Sequence, residues 1–216
     1  MNSIIKLAVL ALGMVAGASG AMAAGDAAAG EAKVAACAAC HGPDGNSPAP
    51  TFPKIAGLGE KYLLKQLKDV QSGERKIPEM IGQLDNFNDQ DLADIAAFYA
   101  SKTMQLSGAK AISVRLNNGE DVDGLALAHD VYRAGNADSG VPACMGCHSP
   151  TGKGNAPAGY PALAGQYPEY IEKQLRAFRA GERTNDGETR VMRSVAKQLS
   201  DAEIKSLAQY IAGLKD

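Results

Sequence analysis

Cys37-Ala38-Ala39-Cys40-His41 and Cys144-Met145-Gly146-Cys147-His148 are the two runs on which the reading of this chain turns. Each is C-x-x-C-H, the pattern for covalent attachment of a c-type haem. Thiols three positions apart reach the vinyl groups on one porphyrin edge, and the adjoining imidazole is set against the iron from one face. Together the runs use all four cysteines and two of the three histidines. A lone C-x-x-C would also suit a redox pair or a zinc site. Two copies, each followed at once by His, predict two covalently bound haem c groups on Cys37, Cys40, Cys144 and Cys147, with His41 and His148 as iron ligands.

The N-terminus agrees. Lys6 precedes an apolar run from Leu7 to Val15, and Ala21-Met22-Ala23 is an A-x-A site. The run is shorter than the roughly 20 residues of a membrane span, so residues 1–23 read as a cleaved secretory signal. Haem is attached outside the bacterial cytoplasm, which makes the periplasm the expected address. Disulfides are permitted there, but these cysteines are better used as thioether anchors. The 24 acidic and 22 basic side chains give a net charge of −2, and nothing resembles the basic stripe that nucleic-acid binding requires.

The two halves superpose as a repeat. Cys37 matches Cys144 and His41 matches His148. Phe52-Pro53-Lys54-Ile55-Ala56-Gly57 matches Tyr160-Pro161-Ala162-Leu163-Ala164-Gly165. Tyr62, Gln66 and Leu67 match Tyr170, Gln174 and Leu175, and Gly73-Glu74-Arg75 matches Gly181-Glu182-Arg183. The expected architecture is all-α: a first domain over 24–103, a linker over 104–120 and a second domain over 121–216. Ala27 to Ala39 leads helically into the first haem site. Tyr62, Leu63, Gln66, Leu67 and Val70 have helical spacing. Asn88 is placed to cap a helix over Asp89–Ser101, and Ser200-Asp201-Ala202-Glu203 is a capping box. Strand-like alternation is nearly absent. The linker, at about 17 residues, is longer than most connections and is expected to pack along the surface.

The far side of each iron decides function. A thioether saturates the iron and raises its potential, favouring electron transfer; an open position favours chemistry on a small molecule. Beyond the leader the methionines are Met80, Met104, Met145 and Met192. Met145 lies between two anchoring cysteines, and Met104 has no counterpart. Met80 and Met192 hold equivalent places before the last helix of each half, 39 and 44 residues beyond their histidines. They are assigned as the second axial ligands. His129 reads as a surface residue. Pro53 and Pro161 follow the ligand histidines by 12 and 13 residues; each either offers a carbonyl to the imidazole's second N–H or simply shapes its loop. Tyr62/Gln66 and Tyr170/Gln174 read as helix packing, with contact to haem propionates as the alternative.

In these runs, and in Asp89-Gln-Asp-Leu-Ala-Asp-Ile-Ala-Ala-Phe-Tyr99, Gly181-Glu-Arg-Thr-Asn-Asp-Gly187 and Val191-Met192-Arg193, the chain resembles cytochrome c4. That family comprises periplasmic class I c-type cytochromes with two haems. The segment from Gly73 to Met80 departs from it, lacking an insertion that some relatives carry. The resemblance implies two tandem class I domains related by duplication, with propionate edges facing one another and His/Met ligation of both irons. It further implies respiratory electron donors and acceptors, a haem–copper terminal oxidase among them, and loose association with the inner membrane. The expectation is an electron carrier and not an enzyme. The competing readings are a two-haem peroxidase, a cytochrome subunit of a larger oxidoreductase and a zinc protein.

Overall fold

A computed structural model describes residues 24–215; the expected leader and its cleavage site lie outside the described residues. The first half comprises α1 (Ala27–Glu31), α2 (Ala35–His41), α3 (Glu60–Gln71), a 3-10 turn (Pro78–Met80) and α4 (Asp89–Ala100). A hairpin of β1 (Ser113–Arg115) and β2 (Asp121–Asp123) follows, with Val114 opposite Val122. The second half comprises α5 (Gly124–Ala134), α6 (Met145–His148), α7 (Pro168–Ala180), α8 (Val191–Lys197) and α9 (Asp201–Ala212). The repeat is visible in the packing. α4 is crossed by α1 and α3, as α9 is by α5 and α7.

Both final helices start on reciprocal caps. The Asn88 side chain accepts from the Gln90 and Asp91 N–H groups, while the Asp91 carboxylate accepts from Asn88 N–H. Ser200 and Glu203 do the same for α9. These helices carry the two cores. Leu92, Ile95, Ile204 and Leu207 are all under 2 % exposed, and burying such a side chain stabilises by about 1.5–3 kcal/mol. Around them lie Val34, Leu63, Phe98 and Tyr99 in the first domain, and Val131, Tyr132, Ile171 and Ile211 in the second. α1 crosses α4 at Gly30, where a Cβ would lie 2.1 Å from the Asp94 carbonyl oxygen.

Two details differ from expectation. The Ala-rich run is not one helix: it breaks between Glu31 and Ala35, so that Val34 enters the core and Lys33 reaches Asp91 and Asp94. The stretch after Met104 contributes β1, and it is fastened to the second domain. Ser107 N–H donates to Gly165 O (3.1 Å), Gly108 N–H to Ala212 O (3.0 Å) and Lys110 N–H to Gln209 Oε1 (3.0 Å). Among the described residues no helix is long and apolar enough to cross a membrane.

Candidate haem sites

α2 and α6 present the cysteines with no disulfide between them, and Cys37 and Cys144 pack against the two cores. The chain leaves His41 and His148, the candidate ligands, through a positive φ: Gly42 at +78° and Ser149 at +65°. Glycine adopts such a conformation without strain. Ser149 is held there by Tyr132, whose hydroxyl donates to its carbonyl at 2.7 Å.

Each loop then returns beneath its histidine. Ile55 and Ala56 N–H groups donate to Gly45 O (2.8 and 3.2 Å), and Leu163 and Ala164 N–H groups to Gly152 O (2.7 and 3.1 Å). This brings Pro53 O to 2.9 Å from His41 Nδ1 and Pro161 O to 3.0 Å from His148 Nδ1. A proline carbonyl can only accept, so Nδ1 carries the proton and Nε2 keeps its lone pair. The carbonyl-acceptor reading of the two prolines is therefore the observed one. Burial, working against the proline hydrogen bond, pushes both imidazole pKa values down, which favours the neutral ring a metal needs. Phe52 and Tyr160, each preceding its proline, set an edge against the rings at 6.3 and 6.1 Å.

Met80 ends the 3-10 turn and Met192 lies in the first turn of α8; both are half-buried. Their supports differ. Gln71 Nε2 donates to Leu84 O and Phe87 O, both at 2.8 Å, bracing the loop beyond Met80. Arg193 clasps Asp186 through Nε (2.6 Å) and its own N–H (2.9 Å), bracing the approach to Met192. His129 is exposed, 3.0 Å from Asp130, and packs edge-on against Tyr210.

Tyr62, Gln66, Tyr170 and Gln174 do more than pack helices, since they meet at the domain junction around two arginines. Arg75 donates to Gln66 Oε1 (2.7 Å) in its own domain and to Tyr170 OH (2.9 Å) and Gln174 Oε1 (3.3 Å) in the other. Arg183 mirrors it, reaching Gln174 (2.7 Å), Tyr62 OH (3.2 Å) and Gln66 (3.0 Å). Among the described residues no carboxylate hydrogen-bonds either guanidinium. Such cations favour an anionic neighbour, which suits haem carboxylates. The sequence carried a signal for them, the repeated Gly-Glu-Arg, but repetition alone did not reveal that each arginine serves the opposite domain.

Cysteine pairs with no disulfide between them, each followed at once by an imidazole whose Nε2 is unspent, are the donor set a covalent haem requires, and they occur once per helical domain. The fold and its sites are thus those of a dihaem c-type cytochrome. The family model for cytochrome c matches residues 27–102 and again 133–215. Cytochrome c4 of Pseudomonas aeruginosa is 50 % identical over 99 % of this chain and 100 % of its own. The crystal structure of reduced recombinant cytochrome c4 from Pseudomonas stutzeri superposes with a TM-score of 0.81 at 49 % identity, covering 89 % of this chain and all of that one. A thiosulfate dehydrogenase electron acceptor of Stutzerimonas stutzeri is 32 % identical over 96 % of this chain and 92 % of its own. The chain belongs to the cytochrome c4 family.

Proposed function

We propose that this dihaem cytochrome is a periplasmic shuttle that passes single electrons between respiratory partners, toward a haem–copper terminal oxidase. The carrying observation is the matched pair of Nδ1–H to proline-carbonyl bonds, 2.9 and 3.0 Å, which equip both halves alike for iron ligation through Nε2. Cys37 and Cys40, and Cys144 and Cys147, would anchor the groups covalently, and His41 with Met80 and His148 with Met192 would hold the two irons. The units run from 24 to 103 and from 121 to 216, joined by 104–120. Bound haem supplies a one-electron iron couple whose potential the surroundings set. The chain's own contribution is positional: the prolines orient the imidazoles, the Met80 and Met192 thioethers would supply the second iron ligand in each half, and Arg75 and Arg183 would offer positive charge to propionates at the junction.

A second reading is favoured by the relative named as a thiosulfate dehydrogenase electron acceptor: the donor is a periplasmic dehydrogenase, and the chain relays its electrons onward. Both readings share one test of the sites. The near-infrared band of sulfur-ligated ferric haem is recorded on the oxidised protein and on Met80→Ala and Met192→Ala. Full intensity for two haems, halved by each substitution, is the expected result. A wild-type band worth one haem defeats one methionine and restores the peroxidase reading. Reduction of the purified protein by a thiosulfate dehydrogenase, or its oxidation by a terminal oxidase, then places it in the chain.

A further inference from the structure

The peptide group joining Pro53 to Lys54 is bonded at both ends. Its carbonyl oxygen accepts from His41 Nδ1–H at 2.9 Å, and its N–H donates to Gln166 Oε1 at 3.0 Å. Gln166 belongs to the second domain. Its amide is oriented without ambiguity, because Oε1 also accepts from Tyr167 N–H (3.0 Å) while Nε2 donates to Lys54 O (2.7 Å). Both Gln166 and Lys54 are 4 % exposed, so water does not compete for these bonds.

The second haem site has no such connection. Its corresponding peptide joins Pro161 to Ala162, and among the described residues nothing accepts from the Ala162 N–H. The residue matching Gln166 in the first repeat is Leu58, which has no polar atom to offer. The two sites therefore share their local geometry and differ in what lies behind it.

We infer that Gln166 is a positioning residue through which the second domain tunes the first haem. An acceptor on the N–H end of an amide draws electron density toward its carbonyl oxygen, and hydrogen bonds in such a chain strengthen one another. Pro53 O thus takes the His41 proton more strongly than an unassisted carbonyl would. The imidazole becomes a better donor, ferric iron is favoured, and the first potential is held below what its local ligands alone would set. The inference rests on His41 being the axial ligand of the first haem.

The test uses the haem-loaded protein and Gln166→Leu, which installs the residue type of the first repeat. Gln166→Met, of similar length, serves the same purpose should the leucine variant fail to retain haem. Each potential is followed through the ring protons of His41 and His148 during a redox titration. The ferric-to-ferrous ratio of the first haem should fall about threefold at fixed ambient potential, equivalent to ~28 mV for a one-electron couple. The second haem should not move, and His41 Nδ1–H should shift upfield in the fully reduced protein. Tyr167→Phe is the control: it removes the neighbouring cross-domain bond from Tyr167 OH to Ser47 O (2.5 Å) and leaves the Gln166 chain intact. An unmoved first potential, or an equal shift in Tyr167→Phe, overturns the inference. Wild-type His41 protons without a haem ring-current shift would instead defeat the ligand assignment.

Discussion

Arg75 and Arg183 are exchanged between the domains: each holds a glutamine of its own half and, with the same guanidinium, the tyrosine–glutamine pair of the other. Because Gln66 and Gln174 each serve both arginines, the contacts form one cooperative unit and not two separate bonds. Asn185 extends it, donating to Gln66 Oε1 (2.9 Å) and Asp69 Oδ2 (2.6 Å).

Replacing either arginine by leucine should lower the unfolding free energy of the haem-loaded protein by about 1–3 kcal/mol, as for other charge-assisted hydrogen bonds. The double variant should lose less than the sum, with a coupling of about 0.5–3 kcal/mol. Denaturant unfolding of the four proteins measures this, and strict additivity would show that the two arginines act separately.

Gly30→Ala should destabilise by about 2 kcal/mol, lowering the midpoint of thermal unfolding by roughly 4–8 °C. The new methyl would meet the Asp94 carbonyl of α4, a backbone atom that cannot swing aside. Gly146→Ala is the matched comparison. Nothing lies within 4 Å of its added Cβ, and the first repeat has Ala39 there, so it should be neutral or stabilising by up to ~1 kcal/mol. Equal losses from the two would remove the steric account of the α1–α4 crossing.

Asp94 titrates at about 2, well below an ordinary carboxylate, held down first by the Asp26 N–H and then by Lys33 and Gln90. A carboxylate whose folded pKa is depressed adds stability that is complete above its unfolded value, 3.8, and is lost as pH falls from there toward 2. Unfolding free energy measured against pH should therefore drop between about pH 4 and pH 2 more steeply than in Asp94→Asn. Parallel curves for the two proteins would show that α1 is not anchored through this charge.

His129→Gln should leave both haem spectra and both potentials as they are. The ring is more than half exposed, and its polar contact is with the adjacent Asp130. A changed spectrum would identify His129 as an iron ligand or distal base and revive the peroxidase reading.

Much of this was legible because covalent and local chemistry leaves short-range marks. The attachment runs and the Asn88 and Ser200 caps are each fixed by residues within a few positions of one another, and the repeat is read by laying such short runs from the two halves over each other. The return of Pro53 and Pro161 beneath their histidines was visible only as an alternative. Its geometry depends on backbone bonds to Gly45 and Gly152, which no side-chain pattern announces. The hairpin escaped because three-residue strands are too short to show alternation. Breaking the Ala-rich run near Lys33 depends on Asp94, some sixty positions away, and an alanine-rich stretch hides such a break by favouring helix throughout. Lys54 stood in the sequence only as one letter of the repeated Phe52–Gly57 run, matched by Ala162, and Gln166 belonged to no motif; the bonds that join them cross the junction between the domains, where both are buried.

The fastening of Ser107, Gly108 and Lys110 to the second domain bears on how fast charge crosses the molecule. Asn46 of the first domain holds Gln105 N–H at 2.7 Å, and Gly165 of the second takes Ser107 N–H only two residues later. That leaves almost no slack between the anchors, so the halves cannot drift apart and re-collide as tethered bodies. The gap an electron must tunnel across is built in with the backbone. On the proposed shuttle function, exchange inside the molecule should then be indifferent to the viscosity of the medium, while exchange with partners, which must diffuse to meet it, should slow as the medium thickens.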